Sequence, residues 1–435
     1  MKTRLIIVLL FVTWALALHG QAPVIDGYEP GEGLVFSHKD DYKIRFTGFL
    51  QPMVENRYYP EVAERKNYLR FRMRRLVTRM SGDAGGGKFN YQLQVDLTGS
   101  GDAGGDGAGR NYLMDAWVSW KPNKSIEIIL GQDNSPTDSR EMGMLSNALQ
   151  LVERSPVALA FASIREFGMF IHTRVPVGEK SVLLPSFALT NGDGANVREK
   201  DRGGLKIGGR LDFQPFGNFA NRGRFRQADV ERELTPKLIF GANYSYNHGI
   251  SDRRGRVSGS ILYLDSAGNE LLPNYTKYGV DFLFKYKGFS MLGEYINANV
   301  SVPGAIYQRV RNDGSTTPSF LVNDVQDVES YVKGRIIVGS GFNLQAGYLF
   351  LNGISVDGRY AKFMPQTHSF LWNPTFYNRN SFYTLCVSKY FGRHYGAKLQ
   401  ASVSYNVAEK GTLTVGATPL IGNEITGLLM LTFAL

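Results

Sequence analysis

A single cysteine, Cys386, stands in the 435 residues, so no disulfide framework and no cysteine-based zinc site can form within the chain. The six histidines are scattered, with no HExxH pair, no paired metal spacing and no GxSxG serine. That leaves no assembled signal for a metalloenzyme or a serine hydrolase, and no cofactor, metal or catalytic residue is expected. Beyond the first twenty positions there is no run of about twenty apolar residues, the length a membrane-spanning helix needs. Lysine and arginine exceed the acids by ten. They are spread along the chain instead of being massed in a tail or helix, so nucleic acid is not an expected partner.

What is present begins with a secretory pattern. Lys2 and Arg4 precede an apolar stretch over 5–16, and Ala15, Leu16 and Ala17 offer a small-residue cleavage site, with a cut before Gln21 as the competing choice. Residues 1–20 are read as a cleaved signal peptide and 21–40 as a periplasmic lead-in. No cysteine follows to carry a lipid anchor. An exported chain without a spanning helix is either soluble outside the cytoplasm or a β-barrel.

The choice between them falls on a repeated alternation. Over 89–98, Phe89, Tyr91, Leu93, Val95 and Leu97 oppose Asn90, Gln92, Gln94 and Asp96, one face fit for hydrocarbon and the other for water. The same split recurs at 205–214, 278–287 and 397–405. The 49 glycines, 23 tyrosines and 27 phenylalanines suit turns, strands and membrane interfaces. The fold class expected is all-β: a transmembrane antiparallel β-barrel over 41–435 of about sixteen strands. Strands should start near Tyr42, Asn67, Phe89, Asn111, Ser125, Arg165, Val182, Leu205, Lys237, Lys277, Phe289, Val328, Phe342, Ser381, Ala397 and Glu424. Connections then sort into short turns on one side, including 339–341, and long loops on the other, including 99–110, 133–164, 248–276, 298–327 and 352–380. The segment 215–236 breaks the rule, being long where a short periplasmic turn is due. Cys386 reads as an inert thiol in the barrel wall.

The strand over 68–80 is unusual. Arg70, Arg72 and Arg74 fall on one face, roughly 7 Å apart, opposite Leu69, Phe71 and Met73. Charge facing lipid costs a few kcal/mol, so the arginines should face the lumen. There they either pair with carboxylates of neighbouring strands, such as Asp96, or give an anion a succession of similar planar partners. Other polar faces add Lys43, Arg45, Arg174, Lys206, Arg210, Lys285, Lys333, Arg335, Lys389 and Lys398, against Asp96, Asp115, Glu127, Asp212, Asp281, Glu294 and Glu329. Cations lead, which favours an anion path over Arg45, Arg70, Arg72, Arg74, Arg174 and Arg210. The loop 133–164 has its own apolar spacing, Met142, Leu145, Leu149 and Val152, in a helical stretch capped by Ser139 and stopped by Pro156. Tucked inwards it would narrow the pore, with Arg140, Glu153 and Arg154 at the constriction; the alternative is a lid on neighbouring loops. The glycine-rich stretch 99–106 reads as an outer loop, and His172 as a wall residue.

Several segments resemble the phosphate-selective porin O and P family. Residues 33–36 running into 41–46 resemble its lead-in and first strand, and 70–76, Arg-Phe-Arg-Met-Arg-Arg-Leu, its arginine-rich second strand. Further likenesses are 115–118, Gly131-Gln132 with Pro136, Glu153-Arg154-Ser155, 165–168, Asn191-Gly192, and Pro215-Phe216-Gly217 before the long segment. The resemblance implies a sixteen-stranded outer-membrane barrel, trimeric, lying among lipid and lipopolysaccharide, with an inward loop at 133–164 and an arginine ladder at Arg70, Arg72 and Arg74. Some members trap phosphate with loop lysines. Between Ser135 and Val152 this loop offers Arg140 and no lysine, so general preference for small anions is the expectation. A barrel serving as surface adhesin or assembly scaffold, with aromatic loop residues Phe370, Trp372, Phe376 and Tyr377, is the competing one.

Overall fold

The computed structural model describes residues 24–29, 33–38, 41–61, 67–99, 112–196, 202–254, 261–373, 377, 379–392, 394–408 and 422–435. The signal-peptide reading and the glycine-rich stretch at 100–106 lie outside them. Sixteen antiparallel strands form the wall: β1 (Tyr42–Tyr58), β2 (Asn67–Ala84), β3 (Phe89–Asp96), β4 (Leu113–Asn123), β5 (Ile126–Asn134), β6 (Arg165–Thr173, continued by Val175–Val177), β7 (Ser181–Thr190), β8 (Lys206–Gln214), β9 (Lys237–Asn247), β10 (Asn274–Tyr286), β11 (Phe289–Ser301), β12 (Gly339–Leu349), β13 (Ile354–Pro365), β14 (Arg379–Tyr390), β15 (Ala397–Ala408) and β16 (Glu424–Ala434). Each pairs with the next, and β16 pairs back onto β1 from Ile425↔Tyr58 to Ala434↔Phe49, which closes the cylinder. Closure leaves no row of unpaired backbone groups in hydrocarbon.

The alternation explains which way each strand faces. In β14, Tyr383, Leu385 and Val387 are exposed while Thr384, Cys386 and Ser388 between them are buried. A water-soluble protein would show the reverse. Here Phe71 is 77% and Leu385 71% exposed, so the outer surface is apolar and the lumen carries the polar groups.

At one rim the connections are short. Lys287 and Gly288 join β10 to β11 with φ of 46° and 94°, the two positive angles that a tight hairpin matched to strand twist requires. At the same rim β1 runs past the end of β16, and a separate strand, Gly33–His38, takes over its free edge from Leu34↔Phe46 to His38↔Tyr42. A further strand, Val24–Glu29, pairs with that one. The terminal amide of Leu435 donates to the Gly48 carbonyl at 2.9 Å, where the two coverings meet.

Two strand assignments need correction. Residues 328–333 form a helix, α2 (Val328–Lys333), capped by the Asp327 side chain accepting from the Ser330 amide, with Lys333 paired to Glu329 one turn away. Lys333, Arg335 and Glu329 therefore leave the lumenal tally, as does Lys389, which shares the exposed face of Leu385. The strand overlooked is β13, lying where a loop was expected, and 339–341 lies inside β12 and is no turn. The apolar period fails in β13 because Ala361 and Phe363 face inwards and are buried. They join a core of Ile250, Tyr263, Tyr275, Phe320, Ile336, Ile337 and Phe370, in which the long loops pack over the upper inner wall.

Candidate functional site

The lumen is filled from both ends, and the two fillings are built differently. Residues 135–164, the connection from β5 to β6, fold inwards as expected. Their helix is elsewhere than the spacing placed it: α1 spans Pro156–Phe161. Pro156 begins it instead of stopping an earlier one, because proline suits the first helical position, and the Ser155 hydroxyl accepts from the Ala158 amide at 3.0 Å. Met142, Leu145, Leu149 and Val152 do not share one helical face: Met142 packs on Ala158, Ala162 and Ile164 of the loop itself, Leu145 against the cluster of Ala228 and Val230 in the segment below, Val152 with Met53 and Met430 of the wall, and Leu149 is buried.

Charged side chains fasten this loop to β8–β11. Arg140 donates to Asp281 at 2.5 Å and to Asp212 at 2.7 Å, and Arg210 binds the same two carboxylates. Asp138 meets Lys277 at 3.1 Å and Lys206 at 3.4 Å, and Glu166 meets Lys206 at 2.9 Å. Glu294 accepts from the Ser139 hydroxyl and the Glu141 amide. Each of these two ionic clusters balances its charges, two cations to two carboxylates, as burial demands. Arg210 is thereby sequestered beneath the loop and only 8% exposed. The wall makes room with glycines: a Cβ at Gly241 would stand 2.1 Å from Nη2 of Arg210, and one at Gly341 3.0 Å from Val157 of α1. Arg154 closes the loop on itself, donating to the carbonyl of Met144 at 2.8 Å.

From the other end, residues 215–236, between β8 and β9, rise into the barrel to meet the loop. The Leu145 amide donates to Phe225 O and the Gln227 amide to Ala148 O, both at 3.1 Å. Gln227 also bridges the Gln150 amide, Gln345 and Glu141. Lys285 of β10 donates to Gly223 O and Ala228 O. This element was visible in the sequence only as a turn of the wrong length. Within it, burial lowers the pKa of the Arg224 guanidinium, Asp212 opposes that shift, and the charges of Arg140, Arg222 and Arg174 reinforce it.

The opposite side of the lumen, β1 and β2, carries the arginine row. Arg70, Arg72 and Arg74 face inwards, opposite exposed Leu69, Phe71 and Met73. A β-bulge then changes the phase: Gln51 pairs with Arg75 while the next residue, Pro52, pairs with Met73, leaving Arg74 as the extra residue. Proline suits such a site because it has no amide to give a ladder. The bulge turns Arg75 to the same side, where it is fully buried, and it brings Arg79 inwards as well, bonded to Gln94 at 2.6 Å. Strict alternation would have sent both to the lipid.

The partners are not the one expected. Asp96 accepts instead from the Thr98 hydroxyl and the Leu76 amide. Glu55 holds Arg57, Arg70 and Arg72 at 2.6, 2.7 and 3.3 Å. Glu153 of the inward loop binds Arg74 and, at 2.9 Å, Arg75. Glu424 lies 3.6 Å from Arg379 and 3.9 Å from Arg57. Among the described residues six guanidiniums thus share these three carboxylates, and Arg70 and Arg72 keep side-chain exposures of 54% and 36%. Arg45 is half-buried lower on β1, and Arg174 is exposed at the break in β6. No cluster of possible metal ligands occurs among the described residues.

This architecture can be set beside known proteins. No curated protein matches the chain. Among solved structures, OmpT of Vibrio cholerae aligns with a TM-score of 0.50 at 9% identity, over 92% of this chain and 99% of that one. An anion-selective porin from Comamonas acidovorans aligns at 0.50 and 11% identity, over 91% and 100%. OmpF of Salmonella typhi, in complex with daunomycin, aligns at 0.52 and 9%, over 92% and 99%. At such identities the likeness concerns the fold. The sequence profile of phosphate-selective porin O and P matches residues 54–315, more than half the length, and takes in the arginine row, the inward loop and the lower segment. The chain belongs to the phosphate-selective porin O and P family of outer-membrane porins.

Proposed function

We propose that the barrel lets small hydrophilic solutes diffuse passively across the outer membrane and that it favours anions, phosphate or compounds of similar charge, with no catalytic step. The observation that carries this reading is the surplus of guanidinium over carboxylate on β1 and β2, together with the exposure of Arg70 and Arg72. Planar guanidinium groups bind oxyanions through paired hydrogen bonds, and a row that also shares carboxylates binds them weakly enough to release them. The apolar outer wall suits lipid and lipopolysaccharide, and a homotrimer like the trimer form of Vibrio cholerae OmpT is the assembly proposed.

The competing adhesin reading has less support: of its aromatic residues Phe370 is buried in the loop core and Tyr377 packs edge-on against it, while Trp372 is exposed with its indole donating to Gln366 O; Phe376 lies outside the described residues. Reversal potentials in a planar bilayer under a salt gradient test the proposal. Anion preference is expected, and alanine at Arg70, Arg72 and Arg74 together should reduce it while the barrel still folds. A closed barrel, or a cation-preferring channel, would overturn it.

A further inference from the structure

On the long-loop side, the outer side in barrels of this kind, the lipid-facing wall carries a feature that conduction does not use. Lys362, near the end of β13, is exposed and faces outwards, paired across the sheet with Phe342 of β12 and Ser381 of β14. Among the described residues it has no hydrogen bond or ion pair. The wall carboxylates Glu55, Asp115, Asp281, Glu294, Asp357 and Glu424 are buried on the lumenal side. An ammonium on the outward face therefore needs its anion from outside the wall. Beside and below it, outward aromatics run over four strands: Phe342 meets Tyr360 edge-on at 5.4 Å, Tyr360 stacks on Tyr383 at 4.8 Å, and Tyr383 pairs with Tyr405. Such residues suit the boundary between headgroups and hydrocarbon. Beneath them the wall is hollowed. A groove of about 570 Å³ crosses β14–β16 to β1, walled by exposed Leu385, Val387, Val403 and Leu429 and floored by Ala401 and Gly427. These residues form the two outward rows next below the tyrosines, Leu385↔Val403↔Gly427 and Val387↔Ala401↔Leu429. Close packing does not demand a glycine here, since a Cβ at Gly427 would meet nothing nearer than the Asn56 carbonyl at 4.0 Å. Its effect is to leave the groove open.

We infer that this face binds a phosphorylated glycolipid of the outer leaflet, with a phosphate on Lys362 and an acyl chain in the groove. The spacing agrees: from Ser381, level with Lys362, to Leu385 is roughly 14 Å along the strand, so headgroup and chain can occupy both places at once. Charge favours a lipid over a second copy of the chain. The outward wall of a second copy is the same apolar surface and brings Lys362 no carboxylate, whereas a phosphate accepts a charge-assisted hydrogen bond from the ammonium. The inference deepens the placement among lipid and lipopolysaccharide proposed above, and it does not depend on anion conduction.

The test uses the full-length barrel, delipidated in detergent, with binding of bisphosphorylated or dephosphorylated lipid A followed by native mass spectrometry. The wild type should prefer the bisphosphorylated form. K362Q should weaken that form about tenfold, the worth of one charge-assisted hydrogen bond, and leave the dephosphorylated form within about twofold. K362R, which keeps the charge, should retain the affinity. G427L, whose side chain projects into the groove, should weaken both forms about tenfold through the loss of buried acyl methylenes. Bilayer conductance of each variant should match the wild type, showing that the barrel has folded. Equal binding of the two forms by the wild type, or binding unchanged by K362Q, overturns the proposal. If G427L splits an oligomer and leaves lipid A binding intact, the groove belongs to a second copy and the proposal falls as well. A wild-type barrel that binds lipid A in this way but conducts nothing removes the porin reading instead, and leaves the lipid site standing.

Discussion

The two sides of the lumen use the same residue types to opposite ends. Beneath the inward loop, Arg140, Arg210, Lys206 and Lys277 are buried against Asp138, Glu166, Asp212 and Asp281, four cations to four carboxylates. Across the barrel, Arg57, Arg70, Arg72, Arg74, Arg75 and Arg379 divide three glutamates, and the outermost of them keep contact with water. A buried charge must be matched or it destabilises the fold, whereas a wet one can be left in excess. The difference separates fastening from conduction. Whether a lumenal arginine belongs to one or the other is decided by the loop that covers it, not by its place in the alternation.

Arg140→Ala should break the comparison most severely. It leaves Asp212 and Asp281 with Arg210 alone beneath the loop, at a cost of about 3–5 kcal/mol, read as earlier unfolding of the barrel in detergent. The loosened loop should also give larger and noisier single-channel currents. Currents and unfolding like the wild type would show that Arg140 does not hold the loop. Glu153→Gln is milder and acts on both sides at once, since Glu153 belongs to the loop but binds the conducting wall. Removing its charge should shift the reversal potential further towards anions, at a stability cost of about 1–3 kcal/mol for the weakened pairing with Arg74 and Arg75. A shift towards cations would contradict the assignment of that wall. The smallest effect is expected at Cys386, 1% exposed between the wall and Leu151 and Val152 of the loop. Its thiol should resist maleimide in the folded barrel and react on denaturation. Prompt labelling of the native protein would mean that the loop lifts away.

Much of the barrel was legible because its two solvents write a period of two into each strand, as in Tyr383, Leu385 and Val387. Legibility failed where that cause was absent. At the upper end of β13 the lumen is dry: Ala361 and Phe363 face inwards to the loop core while Lys362 between them faces outwards, so the alternation begun by Ser355, Asp357 and Arg359 reverses and a strand read as a loop. Residues 328–338 made the opposite error, since Val328 and Val332 are one helical turn apart and a two-residue period fits them almost as well. The two errors cancelled in the strand count. At the row, Arg70, Arg72 and Arg74 alternate with exposed Leu69, Phe71 and Met73, as a period of two requires. Arg75 and Arg79 depart from it, because a bulge opposite Pro52 is a property of two strands and is invisible in one. The inward glycines Gly241 and Gly341 were the sequence's mark of the loop's seat. Gly341 read as part of a turn and Gly241 as an ordinary strand residue, because the seat is defined by the loop packed against them.

The seam at the short-turn rim bears on how such a wall is assembled. The edge of β1 is covered by three stretches of chain: β16, the last residue Leu435, and Gly33–His38. Two of them belong to the far end of the strand order, and the third directly precedes β1. Closing so long a loop is slow, because its entropy is lost before any contact returns it. The open edge therefore persists until β16 has reached the membrane. Deletion of Leu435 would fall on that joint, and so would act on the timing of closure before it acted on the finished pore.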